Sequence, residues 1–110
     1  MPFGNLINGR EQHVDRTFES LNSSKLSDAI GAFPESDEEA VRAAAEAARA
    51  AQPKWASLPA PVRGQIVGQI GAAIRREKES LSRLVTREMG KTLKEARGEV
   101  QEAIDTYEFF

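Results

Sequence analysis

The chain has 110 residues, with 15 Lys plus Arg against 17 Asp plus Glu and a formal net charge of −2. That balance supplies no basic field for a nucleic-acid backbone or an anionic membrane surface. Cysteine is absent and His13 is the one histidine, which removes disulfides, thiolate nucleophiles and cysteine-based metal sites and argues against a nitrogen-ligated transition metal. A 40% hydrophobic share fits a soluble globular chain of one domain. A compact domain of this length buries roughly 60–70% of the surface its unfolded chain exposes. Met1-Pro2-Phe3-Gly4-Asn5 carries no secretory leader and no apolar run is long enough to span a bilayer, so a cytoplasmic location is expected.

Two halves with different patterning meet near Pro34. Leu6-Ile7 is followed by Asn8-Gly9, a dipeptide suited to the positive backbone angles of a tight hairpin turn. Residues 17–21 alternate apolar and polar as a half-buried strand does. Asn22-Ser23-Ser24 predicts a turn, and residues 29–33 a third short strand ended by Pro34.

From Ser36 onward the period becomes helical. Ser36 and Glu39 have the spacing of a capping box. Asp37 and Glu38 put negative charge at the positive end of the helix dipole. An alanine-rich helix with Val41, Ala44, Ala45 and Ala48 on one stripe is expected to run to Gln52, where Pro53 stops it. Trp55 and Leu58 fall in the loop that follows, and Pro61 suits the first turn of a second helix. Val62, Ile66, Ile70 and Ile74 then share a face, and residues 75–80 predict a break. Leu81, Leu84, Val85 and Met89 resume the period, with Gly90 as a left-handed terminator. Leu93, Ala96, Val100, Ala103, Tyr107 and Phe110 mark a last helix. Its pattern carries no stop signal at Phe109-Phe110. Either those rings pack back onto the chain's own helices, or the chain is the front piece of a longer protein.

The motifs have plain structural readings. Gly90-Lys91-Thr92 resembles the tail of a phosphate-binding loop, but the required upstream glycine position holds Val85 and the preceding pattern is helical. Gly64, Gly68 and Gly71 fall at helical spacing, which fits close helix packing better than a dinucleotide loop. His13 reads as a surface residue. Glu95, Glu99 and Glu102 share one helix face, which reads as solvated.

Residues 84–100, Leu-Val-Thr-Arg-Glu-Met-Gly-Lys-Thr-Leu-Lys-Glu-Ala-Arg-Gly-Glu-Val, follow Pro61-Val62-Arg63. Upstream stand Ile7-Asn8-Gly9, Thr17-Phe18-Glu19, Asn22, Ile30-Gly31, the alanine-rich helix and Trp55. In this order and spacing the chain resembles the N-terminal region of the NAD(P)-dependent aldehyde dehydrogenases, from about Leu6 to Phe110. It departs at Asn22-Ser23, where that family usually has Asn-Pro, and at Gly90-Lys91-Thr92, where it usually has Gly-Lys-Pro.

The resemblance implies a mainly α chain with a small N-terminal β element, the front of an α/β fold with a Rossmann-type cofactor domain. Residues 1–34 would supply its strands or hairpin. Residues 35–110 would supply the first helices of the cofactor-binding domain, cut short at the C-terminus. It also implies that the nucleophilic cysteine, the general-base glutamate, the cofactor glycine motif and the oligomerisation strands lie further along. Aldehyde oxidation in that family passes through a thiohemiacetal, hydride transfer to nicotinamide and thioester hydrolysis. NAD or NADP therefore belongs to the full-length parent, and none is expected on this chain alone, which is expected to be inactive. The partner implied is the remainder of the dehydrogenase chain or its subunits. By position the family's structural monovalent cation would lie between main-chain oxygens at Ser20 or Leu21 and the carboxylate of Glu99. A second expectation, from the heptad-like spacing over 93–110, is a free-standing helical module that self-associates or binds a partner through that face.

Overall fold

A computed structural model describes residues 3–110; Met1 and Pro2, the start of the segment read as leaderless, lie outside the described residues. Strands β1 (Asn5–Ile7) and β2 (Arg10–Gln12) form an antiparallel hairpin in the register Leu6↔Glu11. Its turn places Asn8 at φ 52° and Gly9 at φ 71°, the left-handed pair that Asn-Gly accommodates. Strands β3 (Thr17–Asn22) and β4 (Lys25–Pro34) form a second hairpin, joined at Ser23-Ser24. The third strand is thus longer than residues 29–33 at both ends. Register shifts between Ser20 and Asn22 absorb a bulge, and Pro34 is paired with Thr17 at the hairpin's open end. A proline is tolerated at such a strand end, where its missing N–H breaks no interior ladder.

Four helices follow: α1 (Glu38–Ala56), α2 (Ala60–Arg76), α3 (Lys78–Met89) and α4 (Leu93–Phe109). The cap of α1 is Asp37, whose carboxylate accepts from the Ala40 N–H at 2.9 Å. Ser36, the residue its spacing favoured, is engaged elsewhere: its Oγ accepts from Asn5 Nδ2 at 2.7 Å. Pro53 does not stop α1. It sits in the last turn, and the chain stays helical through Trp55 to Ala56, closed by Ser57 N–H donating to the Pro53 carbonyl. Pro61 does open α2, and the expected break falls at Glu77, between α2 and α3.

Only Ile7, Ala96, Val100 and Ile104 are buried apolar residues among those described. Ile104 is fully buried although it lies off the stripe expected for α4. Ala96, Val100 and Ile104 form the inward row, whereas Tyr107 and Phe110 are exposed. Phe109 and Phe110 are 83% and 78% exposed and pack edge-on against each other, not back onto the helices. Of the face that suggested self-association through 93–110, Ala96 and Val100 are thus buried inside the chain.

Glycine sets the α2–α4 approach. A Cβ at Gly71 would lie 3.1 Å from Tyr107 Cβ and 3.5 Å from the Ile104 carbonyl, so the helices touch at backbone level. Gly64 lies near the Phe110 carbonyl, while Gly68 meets nothing within 4 Å. The isoleucine stripe faces outward: Val62, Ile66 and Ile70 are exposed. Between α3 and α4, Arg97 donates to both oxygens of Glu79, at 2.9 and 3.0 Å, and Lys78 Nζ donates to Gln101 at 2.7 Å. No residue of α1 is buried. Its alanines at 44, 47, 48 and 51 face the β1–β2 hairpin across an open concavity of about 360 Å³, and Ala45 of the expected stripe is not among them.

The radius of gyration is 16.8 Å, against about 13 Å for a compact domain of this length. Accessible surface is 8413 Å², where a compact monomer of 12.1 kDa has about 6,000 Å². A chain of this length has room for a sizeable core, but these elements leave much of their apolar surface uncovered. The elements are well formed locally, but few of them have a second layer to pack on.

Candidate functional site

The polar side chains converge at the corner where α3 hands over to α4. Gly90 ends α3 at φ 73°, as its position suggested, and its N–H donates to the Thr86 carbonyl at 2.9 Å. Thr92 then caps α4 in a complete capping box with Glu95, so Lys91-Thr92 belongs to a helix start and not to a phosphate loop. The Thr92 hydroxyl and backbone N–H both donate to Glu95 and hold its carboxyl below the usual range. Lys91 Nζ donates to Glu99 Oε1. Two of the three carboxylates read as a solvated face are therefore engaged, and Glu102 completes the shallow groove lined by Lys91, Glu95, Gly98 and Glu99.

The β3–β4 hairpin docks on this corner from the other side. Arg87 Nη2 and Nε donate to the two oxygens of Asp28 at 2.7 and 3.1 Å, and Asn22 Nδ2 donates to Asp28 at 2.9 Å. The guanidinium first, and the amide after it, lower the Asp28 carboxyl to about 2 from 3.8. Ser20 Oγ donates to Glu88 Oε2 at 2.8 Å, and the Ser23 N–H to the Arg87 carbonyl at 3.3 Å. A Cβ at Gly90 would meet Ser23 Oγ at 2.8 Å. None of these pairs was legible in sequence. Its only trace is an aspartate within a strand and an arginine beside the apolar period of α3.

Leu21 lies in the bulged part of β3, paired with Ala29. Glu99 lies on α4 with the Lys91 ammonium on its carboxylate. Among the described residues no three His, Cys, Asp or Glu side chains are grouped to hold a metal ion. His13 is exposed, as expected, with Glu11 at 3.9 Å. This set of groups can join elements and fix their angles. It contains no thiol, and its two carboxylate-bonded hydroxyls, Ser20 on Glu88 and Thr92 on Glu95, are taken up in the hairpin contact and the α4 cap.

One apolar concavity stands apart, about 380 Å³ in volume and lined by Ile74, Leu81, Leu84, Val85, Val100 and Ala103, with Glu99 at its edge. It is the meeting place of α2, α3 and α4, with no layer over it. No helix of the described residues is long and apolar enough to cross a membrane.

Comparison with known proteins agrees over nearly the whole length. The aldehyde dehydrogenase family model matches residues 10–110. The α-ketoglutarate semialdehyde dehydrogenase of Haloferax volcanii is 36% identical over 99% of this chain and 23% of its own. Aldehyde dehydrogenase family 7 member A1 of Pisum sativum is 42% identical over 96% of this chain and 21% of its own. The fold matches Thermus thermophilus 1-pyrroline-5-carboxylate dehydrogenase with TM-score 0.94 and 31% identity, over 97% of this chain and 21% of that one. Escherichia coli lactaldehyde dehydrogenase matches with TM-score 0.92 and 29% identity, over 99% and 24%. The chain thus spans between a fifth and a quarter of the length of these relatives. The β3–β4 hairpin clasped onto a helical corner, with an apolar face left open, fits a segment of a larger architecture, and the chain belongs to the aldehyde dehydrogenase family.

Proposed function

We propose that this chain serves as the N-terminal segment of an NAD(P)-dependent aldehyde dehydrogenase, an oxidoreductase that converts an aldehyde to a carboxylic acid. In this reading residues 1–34 and 35–110 supply the strands and first helices that brace a cofactor-binding domain. The observation that carries it is the surface of 8413 Å², about 40% more than a compact monomer of this mass exposes. The coverage of a fifth to a quarter of the relatives' lengths supports the same conclusion. A 1-pyrroline-5-carboxylate dehydrogenase from Thermus has been solved with bound NAD, and the cofactor is assigned here to the complete enzyme.

The chain alone is proposed to be inactive. Family chemistry begins with thiolate attack on the aldehyde carbon, and no cysteine is present. Purified chain mixed with a simple aldehyde and NAD⁺ or NADP⁺ is expected to give no reduced nicotinamide; saturable turnover would overturn this. The monovalent-cation site at the Leu21 carbonyl and Glu99 stands as a proposal in which the cation competes with Lys91. Lys91→Ala in the full-length enzyme is then expected to make its melting temperature more sensitive to K⁺ or Na⁺. An unchanged sensitivity counts against it.

A further inference from the structure

We propose that the apolar groove between α2, α3 and α4 is the docking surface for the part of a dehydrogenase chain that these 110 residues do not contain. The inference rests on the family-segment reading and assigns the surface through which that reading operates. Ile74, Leu81, Leu84, Val85, Val100 and Ala103 line the groove. Leu84 is 40% exposed, although it stands at the junction of the chain's best-packed helices. The groove's one charged neighbour, Glu99, is already paired with Lys91, so an apolar segment can lie across it without stranding a bare carboxylate.

A small-molecule occupant fits less well. Ligand sites combine an enclosed apolar cavity with a few convergent polar groups that fix orientation, and this groove is open with none. A second copy of this chain also fits less well. Six lining side chains are far fewer than the roughly 20–30 residues a side of a standard interface. A segment that belongs to the same longer fold faces no such minimum, because its other contacts and its tether hold it at high effective concentration. The matched relatives are four to five times longer than the stretch they share with this chain, so they contain such a segment. The occupant is therefore an apolar element of the remaining dehydrogenase chain.

The test co-expresses this chain with a tagged Haloferax volcanii α-ketoglutarate semialdehyde dehydrogenase from which the matched stretch has been removed. Capture of the chain is expected, with loss of the fluorescence that an apolar dye shows on the free chain. Leu84→Glu is expected to cut capture at least tenfold while leaving helical circular dichroism intact. Ala50→Glu, at an exposed position of α1 away from the groove, is expected to leave capture unchanged. Capture that survives Leu84→Glu, or is lost equally with Ala50→Glu, overturns the groove assignment and leaves the family-segment reading standing. A free chain that forms a discrete dimer dissociated by Leu84→Glu overturns it in favour of a second copy. Absence of capture by the unaltered, folded chain overturns both.

Discussion

Arg87 of α3 holds both carboxylate oxygens of Asp28 on β4, residues 59 apart in sequence, through hydrogen bonds of 2.7 and 3.1 Å. This fork, with Ser20–Glu88 and Ser23–Arg87 beside it, is what attaches the second hairpin to the helices. The attachment is polar, and the hairpin brings little apolar burial to it: Phe18, Leu21 and Leu26 are all exposed.

Arg87→Lys is expected to loosen the hairpin while the helices persist, because an ammonium cannot reproduce the two-pronged grip. Backbone amides of β3 and β4 should exchange faster with solvent and those of α4 should not. Uniform protection across the chain would contradict the clasp.

The same contact sets an acid dependence. Asp28 titrates at about 2 in the fold against 3.8 ordinarily, so its contribution is complete above the unfolded value and is lost as pH falls through the folded one. Glu79 and Glu95, lowered by Arg97 and by Thr92, act in the same direction. Hairpin release is expected between pH 4 and pH 2, followed by near-ultraviolet circular dichroism or by the amide signals of β4. Release already complete at pH 5 would contradict it.

Two glycines are expected to respond with opposite signs. Gly90→Ala places a side chain at φ 73°, with its Cβ 2.8 Å from Ser23 Oγ, and should destabilise by about 1 kcal/mol or more. Gly98→Ala lies inside α4 with nothing within 4 Å, and should stabilise by roughly 0.5–1 kcal/mol through helix propensity. Denaturant midpoints of the two variants should therefore move apart from the parent's.

Ile104→Ala should cost about 2–5 kcal/mol, since the side chain is fully buried between helices. Leu26→Ala, at a residue 72% exposed, should stay within about 0.5 kcal/mol. Thr92→Ala removes the α4 capping box and should cost about 1 kcal/mol. Helical circular dichroism against urea ranks the three.

The sequence by itself determined the features that depend on local backbone sterics. Asn8-Gly9 specified a turn with both residues at positive φ, Gly90 a left-handed helix end, Pro61 a helix start, and residues 75–80 a break. These hold because the residue concerned carries its own conformational preference into any surroundings. The family, too, was legible, since many small matches in order need no knowledge of contacts.

Tertiary structure decided what depends on neighbours. Ser36 had the spacing of a cap, but Asn5 claims its hydroxyl and Asp37 caps instead. Ile104 became core, while Val62, Ile66 and Ile70, with the more regular stripe, were left outside. A helical period states which residues share a face; only the packing of other elements says which face is covered. The Asp28–Arg87 fork has no sequence signature for the same reason, because it exists only once β4 and α3 are brought together.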